Sequence, residues 1–267
     1  MRVLQFLDST NRGGAETQVL DICRNAMDFG LEVTFVTAHG GTLEEEFRES
    51  GVDFIRLGRK FPIDLYLASQ LRRIVKERAI KIVHGYQAVE GLHLYLATRG
   101  LKNVRRVLSF QGGTVYDWKN RRTLRFLIPR MNANVVVGHG LNKFHAESDR
   151  FDTSNFTVVP NGADSRRLEP TGKNLKKELG LADTARLIGM VGNFYAEARK
   201  DQLTVCRALP TVFAKHPEAH VVFAGKIEDG AEEKFADCLN FCLKNDIADR
   251  VHFLGGRSDI GDVLASL

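Results

Sequence analysis

Short apolar runs rich in β-branched and aromatic residues, each followed by a stretch of helical spacing, recur along this chain from its first residues. That alternation constrains the fold more than any other feature. Strands that read as apolar on both faces need helices on both sides, and parallel strands need a crossover between them. The runs Val3–Leu7, Val33–Thr37, Phe54–Leu57, Lys81–His84, Arg106–Phe110, Val135–Val137 and Phe156–Val159 predict seven strands. Between them, helices are expected from the Gly-rich turn after Leu7 through Val19, Leu20, Cys23 and Ala26, through Leu43 and Phe47, over Leu65–Arg78 and over Val89–Arg99. A further, basic helix precedes Val135.

The first series closes with the turn Pro160-Asn161-Gly162, and residues 163–185 carry little strand character apart from a short helix around Leu175–Leu179. The alternation then restarts with strand Leu187–Val191, helix Asp201–Lys215, strand His220–Ala224, helix Ala231–Lys244 and strand Val251–Leu254. The expected organisation is therefore α/β, with two Rossmann-like parallel-sheet domains facing a cleft, the second incomplete. Residues 1–165 form the first domain, 166–185 a linker and 186–267 part of the second.

Composition narrows the classes further. With 43% hydrophobic and 27% charged residues the chain is neither disordered, collagenous nor coiled coil. No run of about 18 apolar residues is present to span a membrane, and the N-terminus does not read as a signal peptide. Four cysteines, Cys23, Cys206, Cys238 and Cys242, form no disulfide pattern, which fits a reducing, cytoplasmic setting. Cys238 and Cys242 lack the companions of a metal site and read as packed thiols, so no metal is expected. The net charge of +5 hides an asymmetry: residues 59–130 hold sixteen basic and four acidic residues, while the remainder is net acidic. The basic stretch points to an anionic partner such as a membrane surface, or to solvated helix faces; no nucleic-acid module accompanies it.

Ligands of open parallel sheets bind beyond the carboxyl ends of the strands, so the loops there carry the chemistry. Gly13-Gly14-Ala15-Glu16 follows the first strand and opens a helix, a place where bare backbone and a positive dipole end suit an anion. The full dinucleotide fingerprint and the Walker pattern are both absent. His84 and Tyr86 end the fourth strand, Gln111-Gly112-Gly113-Thr114 follows the fifth, and Gly138-His139-Gly140 reads as a helix start. In the second series Gly192-Asn193 is followed after a short loop by Arg199-Lys200, a glycine-plus-ammonium arrangement suited to a diphosphate. No hydrolase triad or zinc motif stands out.

Together these motifs resemble glycosyltransferase family 4. The resemblance is carried by Gly13-Gly14-Ala15-Glu16, by Val158-Val159-Pro160-Asn161-Gly162-Ala163-Asp164, by Gly192 to Lys200, and by Val222-Phe223-Ala224-Gly225. It implies the B-type glycosyltransferase fold. It also implies retaining transfer from a UDP- or GDP-linked sugar, with no divalent metal or other cofactor, to a glycan, lipid-linked or small-molecule acceptor. Carried over by position, Gly13, Gly14, Gly192, Asn193 and Lys200 would face the donor phosphates. Gly225, Gly255 and Arg257 would lie on the nucleobase side, and His84, Tyr86 and Gln111 on the acceptor side; no catalytic residue is assigned. Asn193 stands where many relatives carry an arginine and Gln111 where many carry a histidine, which removes a bidentate donor and an acid–base group. The family's Glu-x7-Glu segment should follow Asp262-Val263-Leu264, and the chain ends at Leu267, so a truncated form is expected. The alternative function is a catalytically silent module that binds an anionic acceptor or the inner face of the cell membrane. An epimerase of the same architecture is a third, less favoured by the Asn161-Gly162-Ala163-Asp164 turn.

Overall fold

The structure, a computed structural model, describes residues 1–112, 116–196 and 200–267 and divides into two compact units, Met1–Ala163 and Asp164–Leu267. The first is built from strands β1 (Arg2–Leu7), β2 (Glu32–Thr37), β3 (Asp53–Arg56), β4 (Ile82–Gly85), β5 (Arg105–Phe110), β6 (Ala133–Val136) and β7 (Phe156–Val158). Its helices are α1 (Gly14–Asn25), α2 (Glu44–Arg48), α3 (Leu65–Glu77), α4 (Ala88–Thr98), α5 (Trp118–Leu127) and α6 (His139–Glu147). The strands form one parallel sheet in the order β3-β2-β1-β4-β5-β6-β7.

The period-2 geometry of β1 explains why both faces must be covered. Val3 and Leu7 point into a core with Val19, Leu20 and Cys23 of α1. Leu4 and Phe6 point the other way, against Leu67, Leu71, Ile74 and Val75 of α3 and Leu94 and Ala97 of α4. A third cluster joins Leu108 and Phe110 of β5 to Leu124 and Leu127 of α5. The chain winds outward from β1 to β3, then returns to lay β4 on the other side of β1. The strand order therefore switches direction between β1 and β4, where such sheets leave a crevice at their carboxyl edge.

The second unit contains α7 (Leu175–Glu178), β8 (Arg186–Val191), α8 (Gln202–Lys215), β9 (Ala219–Ala224), α9 (Glu232–Lys244), β10 (Val251–Gly255) and α10 (Ile260–Ala265). Its three strands are parallel in the order β10-β9-β8. Cys206 of α8 and Cys238 and Cys242 of α9 are buried in one core with Phe213, Val221 and Phe223. A hydrogen bond with Cys238 and burial push the Cys206 thiol upward, away from ionisation.

The stretch 166–185, expected as a linker, is instead part of this unit. Leu175 is buried with Leu187, Val222 and Val263, and Leu179 and Leu181 pack beside it. The buried Asp262 carboxylate accepts from the backbone N–H groups of Thr171, Gly172 and Lys173 at 2.7, 3.0 and 3.1 Å and from Thr171 Oγ1 at 2.7 Å. These contacts satisfy the polar backbone of a segment that has no strand or long helix of its own.

Candidate functional site

In the first unit the switch point brings together the β1–α1 loop and the start of α4. Asp8, directly after β1, holds Arg59 in a two-bond pair, with Nε and Nη2 donating to its carboxylate at 2.7 and 2.8 Å. The N–H of Asp8 donates to Glu90 Oε1 at 3.1 Å, while Oε2 of this buried residue has no partner among the described residues. Burial pushes the Glu90 carboxyl up to about 7, opposed by the N–H groups it accepts from and reinforced by the Asp8 and Glu16 carboxylates. A carboxyl in that range can donate or accept a proton near neutral pH. Glu90 sits inside an apolar helical pattern, so nothing in the sequence marked it. The one available signal was Asp8, an acid placed directly at a strand end.

Gly13 and Gly14 open α1 as expected. Gly13 takes the extended cap position, and a methyl added to it would meet Glu16 Oε2 at 2.4 Å. The Glu16 carboxylate thus lies over Gly13, and burial raises its pKa. Gly14 is exposed, and among the described residues nothing lies within 4 Å of an added methyl, so their packing does not require a glycine there.

His84 and Tyr86, expected on the acceptor side, are engaged inside the unit. Tyr86 is buried and its hydroxyl donates to Gln5 Oε1 at 2.8 Å. His84 Nδ1 lies 3.3 Å from the same hydroxyl, and His84 Nε2 lies 2.7 Å from Ser109 Oγ. Because the hydroxyl proton of Tyr86 points to Gln5, the consistent assignment has Nδ1–H donating to Tyr86 and Nε2 accepting from Ser109. Burial lowers His84 to about 4, in keeping with a neutral ring. Both side chains therefore tie β1, β4 and β5 together, Tyr86 from a buried position and His84 from a half-buried one. Gln111 remains at the carboxyl edge, where its Oε1 accepts from Asn161 Nδ2 of the Pro160-Asn161-Gly162 turn at 2.9 Å. Gly113 and Thr114 lie outside the described residues. Gly138 does cap α6, as the sequence suggested.

The second unit gathers glycines from all three of its strand ends. Gly192 follows β8, and its N–H donates to Ala224 O at 2.8 Å; the N–H of Gly225, after β9, donates to Gly255 O at 2.8 Å. A methyl on Gly225 would stand 2.2 Å from Gly192 O and 2.4 Å from its carbonyl carbon. That contact is with backbone, which cannot move aside, so only glycine lets the two loops touch. Gly255 has φ +66°, the left-handed region that favours glycine. The stem of Lys200 lies along Gly192, its Cε 3.4 Å from where a methyl would stand. Gly192 and Lys200, expected at the donor diphosphate, are thus brought together; Arg199 lies outside the described residues.

Two other expected donor residues have different work. Asn193 Nδ2 donates to Glu228 Oε1 at 2.6 Å and its Oδ1 accepts from Lys226 N–H at 3.0 Å, so both ends of its amide brace the β9–α9 loop. Arg257, expected on the nucleobase side, grips two carboxylates. It donates to Glu178 at 2.5 and 3.0 Å and to Asp259 at 2.8 Å from both Nε and Nη2. Those bonds raise the guanidinium further, lower Glu178, and hold Asp259 at about 2. Arg257 therefore fastens α7 to the end of β10. Neither partner was visible from local spacing, since Glu178 lies 79 residues away and Glu228 lies 35 from Asn193.

Residues 12–167 match the model of Glycosyltransferase Family 4. EpsF of Bacillus subtilis (strain 168), named as a glycosyltransferase, is 25% identical over 210 residues, which are 73% of this chain and 54% of that protein. A GDP-mannose-dependent monoacylated alpha-(1-6)-phosphatidylinositol monomannoside mannosyltransferase of Corynebacterium glutamicum is 25% identical over 209 residues, 75% of this chain and 51% of that one. The chain thus spans about half the length of these curated relatives. The crystal structure of Anabaena Alr3699/HepE in complex with UDP superposes with a TM-score of 0.81 at 17% identity, covering 100% of this chain and 72% of that one. At that identity the likeness is one of fold.

Proposed function

The chain belongs to glycosyltransferase family 4, and from that membership we propose that it takes part in retaining transfer of a sugar from a nucleotide-sugar donor to a glycan, lipid-linked or small-molecule acceptor. In that reaction the bond from the anomeric carbon to the nucleoside diphosphate breaks and an acceptor oxygen takes its place. The leaving group departs with negative charge, so stabilising it is the main electrostatic task. The observation that carries the reading is the meeting of Gly192, Gly225 and Gly255 at one sheet edge, with Lys200 laid along Gly192. Bare backbone lets a diphosphate come close, and the ammonium offsets its charge.

The donor is proposed to be UDP- or GDP-linked; HepE holds UDP and the Corynebacterium relative is named for GDP-mannose. The acceptor is assigned to the first unit, with Gln111 and Asn161 as its edge residues. No cofactor besides the donor is invoked. Cytoplasmic location and peripheral membrane attachment through residues 59–130 belong to the same proposal. A second reading, a catalytically silent module that holds an anionic acceptor or membrane surface, draws on the sixteen basic and four acidic residues of that stretch.

Calorimetric titration of the purified chain with UDP and with GDP tests the donor assignment without requiring turnover. Lys200→Ala should weaken the preferred nucleotide by about 10- to 100-fold, as loss of one charge-assisted contact does. Binding that is absent, or that ignores Lys200→Ala, overturns it.

A further inference from the structure

The single-turn helix Met27–Phe29, between α1 and β2, carries apolar side chains that the fold holds in water. Met27 and Phe29 are each 78% exposed. Their backbone is closed on itself. The N–H groups of Phe29 and Leu31 both donate to Ala26 O, at 3.2 and 2.9 Å, and Gly30 N–H donates to Met27 O at 3.0 Å. Gly30 takes φ +66°, which a side chain would strain, and Ala26 is buried in the core beneath α1. A turn anchored in this way cannot fold Phe29 back onto the core. Met1, 58% exposed, stands close by, since its carbonyl accepts from Glu32 N–H at 2.9 Å. Neighbouring exposed apolar groups on an ordered scaffold mark an interaction surface.

The same face carries a hollow. A cavity of about 440 Å³ opens at the amino edge of the first sheet, lined by Met27 and Leu31 from one loop and by Gly51 and Val52 from the loop before β3. The buried side chains of Val33 and Ile80 also line it. Phe29 lies between Met27 and Leu31 in the chain, so a protruding ring stands beside a hollow large enough to take small organic groups. A face that carries both a knob and a hole is complementary to itself, because a two-fold axis puts each knob opposite the other copy's hole. The charge of the face fits such a meeting. Four charged residues line the hollow as two ion pairs, Arg2 with Glu32 at 2.8 Å and Arg78 with Asp53, so the rim carries no net charge. Residues 59–130 hold sixteen basic and four acidic side chains, and two copies meeting over that stretch would repel.

We propose that the amino edge of the first sheet is a self-association surface, through which two copies of the chain pair about a two-fold axis with Phe29 of each seated in the hollow of the other. The candidate residues of the first unit lie at the opposite, carboxyl edge of that sheet, so pairing leaves them uncovered. The proposal is independent of sugar transfer, and its test contains no donor.

Sedimentation velocity of the purified chain over a concentration series reads the pairing directly. The mass should rise from one chain to two and stop there, since a two-fold contact closes on itself. Met27→Ser combined with Phe29→Ser should weaken the dimer by about tenfold or more. Both residues are exposed in the single chain, so the melting temperature of the dilute variant should match that of the parent. Arg2→Glu with Arg78→Glu gives the rim four acids and no bases; it should also weaken pairing, and added salt should restore part of the loss. Amide exchange at Gly51 and Val52 should slow as the parent is concentrated and should not change in the serine variant. A single chain at every concentration overturns the proposal and leaves the face to a different partner. Growth beyond two chains, a dimer indifferent to the serine variant, or a dimer without protection at Gly51 and Val52 overturns it as well. Nucleotide titration of the same preparations reports separately on the donor assignment.

Discussion

Glu90, buried, and His84, half-buried, show how single groups set the pH response of the first unit. Glu90 keeps its proton to about pH 7 in the fold but only to about 4.5 when unfolded. The folded state therefore binds more protons in that window, and stability falls as pH rises through it, by about 3 kcal/mol in all. Glu90→Gln keeps an acceptor for the Asp8 N–H and should remove this decline, leaving the variant more stable than the parent at pH 8 in denaturant titrations. His84 acts with the opposite slope. It stays neutral in the fold down to about 4 but charges near 6.5 when unfolded, so stability falls as pH drops through that range. The two slopes oppose each other between about 4.5 and 6.5, and only the single variants will separate them. The roles of Asn193 and Arg257 were hidden at this scale for a physical reason. Residue type shows that an amide or guanidinium needs partners, but the partners that claim it come from chain far away.

At the level of elements, most of the architecture could be read in advance. Strands buried on both faces leave a continuous apolar run, and helices between them leave a 3.6-residue spacing, so period and length suffice to locate both. The stretch 166–185 escaped because its order comes from outside itself, through Leu175 in a core and Asp262 about ninety residues away. Asp262→Asn should therefore speed amide exchange at Thr171, Gly172 and Lys173 before it affects β8 or β9. The glycine loops divide by the same logic. Gly225→Ala puts a methyl 2.2 Å from backbone oxygen and should lower the melting temperature of the second unit by several degrees. Gly14→Ala meets open space and should leave melting unchanged, so any effect it has should appear in ligand titrations alone.

Across the whole molecule, each unit closes its own core, so damage should stay local. Leu4 is fully buried among β1, α3 and α4, and Leu4→Ala should destabilise the first unit by about 2–5 kcal/mol. Amide exchange in β8–β10 should be unaffected. Family membership and the parallel sheets were legible because they rest on local motifs and periodicity; which loop side chains are engaged inside each unit was not. The strand order has a further consequence, for assembly in time. β1 precedes its sheet partners along the chain, yet it lies inside the sheet with β2 on one side and β4 on the other. Growth can therefore proceed outward in both directions from the strand of this sheet that is made before the others, and each later strand finds its neighbour waiting. A lesion in β1 would leave both halves of the sheet without a template, whereas one in β7 would cost only the last strand added.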